Sequence, residues 1–333
     1  MQRAIEWWDR HQLVLAVLAI LAGAALGLAA PAVAPVLATA TNPVLALLLF
    51  ATFLGVPIDG IGRTLRDLRF LGTVLLVNFV AAPLVAFGLS RVVADDRGLL
   101  LGVLLVLLTP CVDYVIVFTG LAGGARDRLL AATPLLILLQ LLLLPGFLWL
   151  FAGPGALALL DARPFLEAFL VIIVVPLAAA AAVQLLARRY RAARTLERIA
   201  AGGMTPLLML TLAVVVGSQI GAVGAEAVAL ARLVPIYVGF LAVMLGVGIL
   251  AGRMTRLDVP RTRAVVFSGV TRNSLVVLPL ALALPASLAI APLAVVTQTL
   301  VELVGLLVLV RLVPRLVPGS GPAGPAARLS RRS

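Results

Sequence analysis

Thr109-Pro110-Cys111-Val112-Asp113-Tyr114 is a short polar run inside an apolar segment that extends from about Leu99 to Leu121. It holds the chain's one cysteine, an aspartate, and a proline placed just ahead of both. Proline removes a backbone donor and clashes with the preceding turn, so a helix through this segment breaks here. In a bilayer, freed backbone groups are tolerated only where they are buried in protein or line a cavity. An ionisable residue at that depth marks a functional site by default.

The composition puts the run in a bilayer. Of 333 residues, 63% are hydrophobic and 12% charged, with a mean hydropathy of +1.19. Soluble domains carry roughly 45–50% apolar and about 25% charged residues. A polytopic membrane protein is the class that fits. Net charge is +12 and all 26 basic side chains are arginine. In a membrane protein such charge collects in cytoplasmic loops and does not point to nucleic acid. A single cysteine excludes an internal disulfide and any CxxC metal or redox site.

At the N-terminus, Arg3 and Arg10 precede an apolar run from Leu13 to Ala30, the outline of a signal peptide. Glu6, Asp9 and Trp7-Trp8 sit in the would-be basic region. Paired tryptophans there suit an interfacial anchor for a retained first span. His11 has no companion ligands and reads as interfacial.

A spanning helix needs about 20 mostly apolar residues. Ten segments qualify: 12–30, 43–58, 69–90, 98–122, 129–152, 164–187, 204–222, 232–252, 263–284 and 288–313. Residues 1–11 are then an interfacial N-terminal segment, 153–163 a linker and 314–333 a disordered Pro/Gly/Ser/Arg-rich tail. On this map, with arginines at the span ends counted with the adjoining loop, 21 fall at the termini and alternate loops, four on the other side, and Arg272 deep inside a span. One missed span would invert every later loop, so the asymmetry supports the count and places both termini in the cytoplasm of a cell-membrane protein. The loop Arg188-Arg189-Tyr190-Arg191-Ala192-Ala193-Arg194 reads as an orientation determinant and lipid-headgroup contact.

Pairing spans 1–5 with 6–10 gives start-to-start offsets of 152 to 165 residues. Five spans per half is odd, so the halves have opposite orientation. The expected fold is therefore an all-α polytopic membrane protein of ten transmembrane helices, arranged as two inverted five-helix repeats, 12–152 and 164–313. Transporters of this kind bind solute near the midplane, in interrupted helices at matching positions of the two halves. Span 9 supplies the match: Ser268-Gly269-Val270-Thr271-Arg272-Asn273-Ser274 is a polar run in an apolar helix, and Asn273 follows Cys111 by 162 residues.

Cys111 reads either as a soft-metal or metalloid ligand or as a small buried hydrophobe. Asp113 reads as a coupling carboxylate, a cation ligand or, preferentially, a counter-ion to Arg272, which at membrane depth needs an acid or a substrate anion. Glu302, near the middle of span 10, is the other coupling candidate. Asn78, Gln140, Gln219 and Gln298 lie inside spans, where amides commonly join helices. Half-helix C-terminal carbonyls at the breaks suit cations and N-termini suit anions. No HExxH, Walker A or zinc spacing appears, so neither an enzyme nor a bound cofactor is expected.

The chain resembles the arsenite efflux permeases, the arsenical-resistance permease family of the bile acid:sodium symporter superfamily, over essentially all ten spans. The resemblance is carried by Pro110-Cys111, Asn78 with Pro83, Gln140, and Leu300-Val301-Glu302-Leu303. It implies that spans 4 and 9 cross, in a core domain of spans 3–5 and 8–10 that moves against a panel of spans 1, 2, 6 and 7. It also implies that Cys111 and a late carboxylate serve metalloid transport, with efflux of trivalent arsenite driven by proton exchange. In span 9 the family's Asn-Asn pair, aromatic and glutamate are here Arg272-Asn273-Ser274-Leu275. The glutamate-with-glutamine sodium pattern of the bile-acid branch is missing, which implies weak or absent sodium coupling.

The expected function is a secondary transporter extruding a small solute, arsenite first, by proton antiport. Cys111, Asn273, Thr109, Ser274, Asn78 and Gln140 would line the site, and Glu302, Asp113 and Arg272 would form the coupling and charge pair. The alternative is a small organic-anion transporter with Arg272 as the carboxylate anchor. A non-transporting membrane receptor is a third possibility, which the repeat disfavours.

Overall fold

A computed structural model describes residues 2–55, 67–112, 114–153, 167 and 170–319. Asp113, residues 154–163 of the expected linker, residues 320–333 of the expected tail, and the side chains of Trp7, Trp8 and His11 lie outside the described residues.

Leucine- and alanine-rich segments in a bilayer have one economical solution, because each helix satisfies its own backbone. The helices are α1 (Gln2–Ala29), α2 (Ala34–Gly55), α3 (Leu68–Leu76), α4 (Ala82–Ser90), α5 (Arg97–Leu107), α6 (Val115–Leu121) and α7 (Arg126–Ala152). They continue with α8 (Val175–Ala187), α9 (Arg191–Ala225), α10 (Ala227–Ala231), α11 (Leu233–Met254), α12 (Val259–Val270), α13 (Ser274–Leu282) and α14 (Ile290–Leu316). Six stretches are each long and apolar enough to cross a membrane: 31–55, 68–93, 126–152, 202–225, 227–254 and 290–316. The protein is a multi-pass, all-α membrane protein.

Each of the ten apolar segments meets a helix or a pair of helices, with three corrections to their bounds. The second helix starts at Ala34, nine residues early, and carries Pro43 in its interior. Membrane helices tolerate such a proline because neighbours re-satisfy the freed carbonyl. The arginine loop after α8 is a short turn, and from Arg191 onward it is already the first turns of α9. The apolar window begins only at Gly202, so this helix overshoots the bilayer with a basic extension. Residues 314–316, assigned to the disordered tail, are the last turn of α14. Arg263 holds that end, donating to the carbonyls of Val317 (2.9 Å) and Ala122 (2.8 Å). A cation there satisfies orphan carbonyls and the negative end of the helix dipole.

Helices α1, α2, α8 and α9 pack mostly on one another. Gly23 and Gly27 let α1 approach α9 so closely that a Cβ on either would lie 2.3 Å from the carbonyl oxygen of Ala213 or Gly217. The remaining helices form a second group, in which α11 packs on α12 and α14 packs on α5, α11 and α13. There Gly248 and Gly252 repeat the device against Val266 and Thr262 of α12. Small residues four apart are how membrane helices bring backbones together.

The polar ends sort by face. Asp67 caps α3 through Phe70 N–H and pairs with Arg128 (2.8 Å) and Arg261 (2.9 Å), and Arg261 pairs in turn with Asp258 (3.1 Å). At the opposite ends of the helices, Asp95 pairs with Arg232 (2.8 Å) and Arg91 donates to the Phe151 carbonyl. Each network joins loops that the arginine count put on one side.

Candidate functional site

Two interrupted helices meet inside the second group. Helix α5 ends at Leu107 and α6 begins at Val115; α12 ends at Val270 and α13 begins at Ser274. Between them Pro110 and Arg272 form an isolated antiparallel bridge. Cys111 N–H donates to the Thr271 carbonyl (3.3 Å) and Asn273 N–H to the Thr109 carbonyl (2.8 Å). Both bonds come from residues flanking the bridged pair, so the donor that Pro110 lacks is not needed. The two breaks thus satisfy each other's backbone at a depth where water does not. Pro110 and Arg272 are 162 residues apart, the same offset as Cys111 and Asn273.

The second break has no proline at its centre. What opens it is Glu302 on α14, whose Oε2 accepts the Arg272 N–H (2.8 Å) that a continuous helix would have given to Ser268. The carbonyls so released go to the arginine's own side chain. Arg272 is fully buried. Its Nη2 donates to the carbonyls of Gly269 and Ser268 (3.2 Å) and to Asn78 Oδ1 (2.9 Å), and its Nη1 to the Leu107 carbonyl (3.4 Å). The guanidinium also lies 5.2 Å from the centre of the Phe240 ring, an attractive placement over a π face. Asn78 reaches the junction from a π-helical turn, Val77–Ala81, just before Pro83. Pro83 cannot bond back to the preceding turn, and π turns are common at functional sites. Its Nδ2 donates to Ser268 Oγ (2.8 Å) and to the Val74 carbonyl (3.0 Å).

Glu302 clamps both breaks. Oε1 accepts from Tyr114 Oη (2.8 Å), which also lies 3.0 Å from the Arg272 carbonyl oxygen, and Oε2 accepts further from Gln298 Nε2. Beside it, Thr299 Oγ1 lies 2.8 Å from Ser274 Oγ. Asn273 Oδ1 caps α13 by accepting from Val276 N–H (3.2 Å).

Thr109, Cys111, Arg272, Asn273, Ser274, Asn78 and Glu302 therefore come together, all buried. Thr109 returns its hydroxyl to the Leu105 carbonyl (2.8 Å). Gln140 is buried in α7, and its Oε1 has no donor among the described residues. Asp113 and its expected pairing with Arg272 lie outside the described residues. Arg272 is fully buried, with the carbonyls of Leu107, Ser268 and Gly269 and the Asn78 side-chain oxygen around its terminal nitrogens. Three further buried polar atoms at the junction lack a hydrogen-bond partner among the described residues: Arg272 Nε, Asn273 Nδ2 and Gln298 Oε1. Among those residues no three His, Cys, Asp or Glu gather to hold a metal ion.

Tyr114 and Ser268 were legible only as members of polar runs, and Thr299 and Phe240 carried no signal at all. The i, i+4 spacing of Gln298 and Glu302 was available as a hint that the two share a helix face.

The two helix groups meet along Ala16, Leu208 and Leu212 on one side and Tyr114, Phe118, Thr299 and Leu303 on the other, around a gap of about 10 Å³. That is roughly room for one water, so the two groups are in close contact at this point of the seam. An open recess of about 730 Å³ lies at the arginine-rich end of α6, lined by Gly120, Gly124 and Arg126 to Arg128 among others.

A model of the Sodium Bile acid symporter family matches residues 42–226, more than half of the chain, from α2 through α9 and including the first break. No curated protein matches.

Proposed function

The chain belongs to the Sodium Bile acid symporter family, whose members are membrane transporters, and on that premise we propose that it exports a small neutral hydroxylated solute, arsenite foremost, by proton antiport. The observation that carries the solute class is the junction itself. Cys111 sits in the paired backbone of two broken helices, and the same junction holds a buried amide donor, Asn273 Nδ2, and a buried amide acceptor, Gln298 Oε1, neither with a hydrogen-bond partner among the described residues. A thiol suits a soft metalloid. A donor and an acceptor suit its hydroxyls, since buried polar groups are costly until paired. Arg272, the one buried cation at the junction among the described residues, already has protein oxygens on both terminal nitrogens, so an anionic solute is not needed to balance the donors. Glu302 is the proton carrier in this reading, because it touches both breaks and a change in its charge would be felt by each.

The wider architecture in this reading is ten spans in two inverted repeats with both termini cytoplasmic. Helices α1, α2, α8 and α9 form the panel and the remaining helices the core. The equal offset of the paired break residues and the sorting of loop networks by face support it. The recess at the end of α6 is the cytoplasmic approach, and opening of the seam exposes the junction. A reporter fused after Ser333 is expected to be active only on the cytoplasmic side.

Expression in an arsenite-sensitive host is expected to raise tolerance, and Cys111→Ala to abolish the gain; unchanged tolerance with Cys111→Ala removes the thiol from the mechanism. In everted vesicles, Glu302→Gln is expected to uncouple arsenite uptake from the proton gradient while leaving the protein folded. The Tyr114 hydroxyl can turn to the Arg272 carbonyl, and the amide oxygen still accepts from the Arg272 N–H. Uptake of small carboxylates in place of arsenite, lost in Arg272→Ala, is the result that favours the organic-anion alternative, for which Arg272 Nε is the available donor.

A further inference from the structure

Arg272 Nη2 has more oxygens around it than its hydrogens can use. A guanidinium Nη2 carries two hydrogens. Here it has three oxygens around it, from the Ser268 and Gly269 carbonyls and Asn78 Oδ1, with the Leu107 carbonyl on the neighbouring nitrogen. Three acceptors for two hydrogens is not a matched fork of hydrogen bonds. It is an oxygen cage around a positive charge. Three of the four oxygens belong to the last turns of α5 and α12. Such carbonyls have no intrahelical partner and carry the negative ends of two helix dipoles. Hard monovalent and divalent cations are bound by carbonyl and amide oxygens of this kind.

We infer that the Arg272 guanidinium is a tethered cation occupying a monovalent-cation site formed by the carbonyls of Leu107, Ser268 and Gly269 and the side-chain oxygen of Asn78. The charge that keeps two helix C-termini together is covalently attached, so the junction does not wait for an ion from solution. Three features agree. The side chain is fully buried and reaches back along its own chain to the carbonyls three and four residues earlier. No carboxylate among the described residues forms a salt bridge with it. The Phe240 ring closes one face of the cage with a surface that attracts cations and donates nothing. In a family described as sodium symporters, this chain would carry its own cation at the junction and be indifferent to sodium there. The inference deepens the proposed transport site, and it rests on that reading only for the junction's part in transport. Its test therefore reads ion binding and leaves solute identity aside.

Purified full-length protein in detergent is titrated with NaCl against choline chloride at constant ionic strength. Melting temperature and equilibrium binding of radioactive Na⁺ are followed for the wild type and for Arg272→Ala. The expected result is a gain: the variant acquires saturable Na⁺ binding and a Na⁺-dependent rise in melting temperature that the wild type lacks. Responses identical in the two proteins, whether both bind Na⁺ or neither does, overturn the inference. Should Arg272→Ala yield no folded protein in either salt, Arg272→Lys and Arg272→Gln decide. A folded lysine variant beside an unfolded glutamine variant supports a required charge, and equal behaviour of the two overturns it. A protein that moves a solute other than arsenite alters none of these outcomes.

Discussion

At the residue scale the site is governed by who receives the Arg272 backbone N–H. In a continuous helix it would close a turn with Ser268. Here Glu302 takes it, and the released carbonyls receive the arginine side chain. An arginine at membrane depth costs from about 3 kcal/mol to well over 10, depending on how it is measured. Hydrogen bonds to charged groups return about 1.5–3 kcal/mol each, so four acceptors and an aromatic face make the burial tolerable. Tyr114 is the residue on which both breaks lean, since its hydroxyl touches Glu302 and the Arg272 carbonyl at once. Tyr114→Phe keeps the ring packed on Phe118 and removes only that hydroxyl. The expected loss is about 1–3 kcal/mol for the buried acceptors left behind, read as a lowered melting temperature in detergent. A variant as stable as the wild type would mean that water or a neighbour replaces the hydroxyl.

At the element scale, close packing places the junction. Helix α11 lies against α12 because Gly248 and Gly252 present no side chain: a Cβ on Gly248 would meet Val266 Cα at 2.8 Å and one on Gly252 would meet Thr262 Cγ2 at 2.5 Å. Phe240 on the same α11 faces the guanidinium, so a displaced α11 also takes away that face. Gly248→Ala is expected to destabilise by about 1–3 kcal/mol, the usual range for overpacking. Gly246→Ala, where nothing lies within 4 Å, is the matched control. It is expected to be neutral or to stabilise by up to about 1 kcal/mol through helix propensity alone. Melting curves of the two variants side by side distinguish a packing contact from a general glycine effect; equal shifts would contradict the packing account. These glycines stand four apart in the sequence, a spacing that signals helix contact, yet nothing in the chain says which partner helix they meet.

At the scale of the whole molecule, charge networks tie loops that are far apart in sequence. Asp67, Arg128, Arg261 and Asp258 join the ends of α3, α7 and α12 on one face. The hydrogen bond from Arg261 holds the Asp258 carboxyl below the usual carboxylate range. A group whose pKa is depressed on folding stabilises fully above its unfolded value, about 3.9 for Asp, and loses that contribution as pH falls through the folded value. Asp258→Asn keeps an oxygen to cap the Arg261 N–H and removes only the charge. The wild type is expected to exceed the variant by about 0.2–1 kcal/mol at neutral pH and low salt, the range for exposed pairs. The difference should begin to fade only as pH drops to about 4 and vanish below the folded value, and it should shrink with added salt. Melting temperatures across pH and ionic strength check it, and a difference that persists in acid would point to the cap and not the pair.

The composition and the positions of arginine were enough to place this chain in a membrane as a bundle of helices, and the two polar runs were enough to locate the breaks. Both follow from solvent physics. A bilayer core accepts only self-satisfied backbone, and it makes every exception visible as a proline, a charge or an amide in an apolar segment. The partners at those breaks were not visible. Glu302 was a candidate for coupling, but that it opens the second break by accepting a backbone N–H depends on how α14 packs. Arg272 was expected to seek an acid or an anion; Asp113, the acid named for it, lies outside the described residues, and among those described its terminal nitrogens face the carbonyls of Leu107, Ser268 and Gly269 and the Asn78 side-chain oxygen. Hydropathy and spacing record where a helix cannot continue. Only the packed structure decides which groups receive the hydrogen bonds that the interruption sets free, because those donors and acceptors lie as much as 194 residues apart in the chain and meet through the close approach of helices that share no sequence signal.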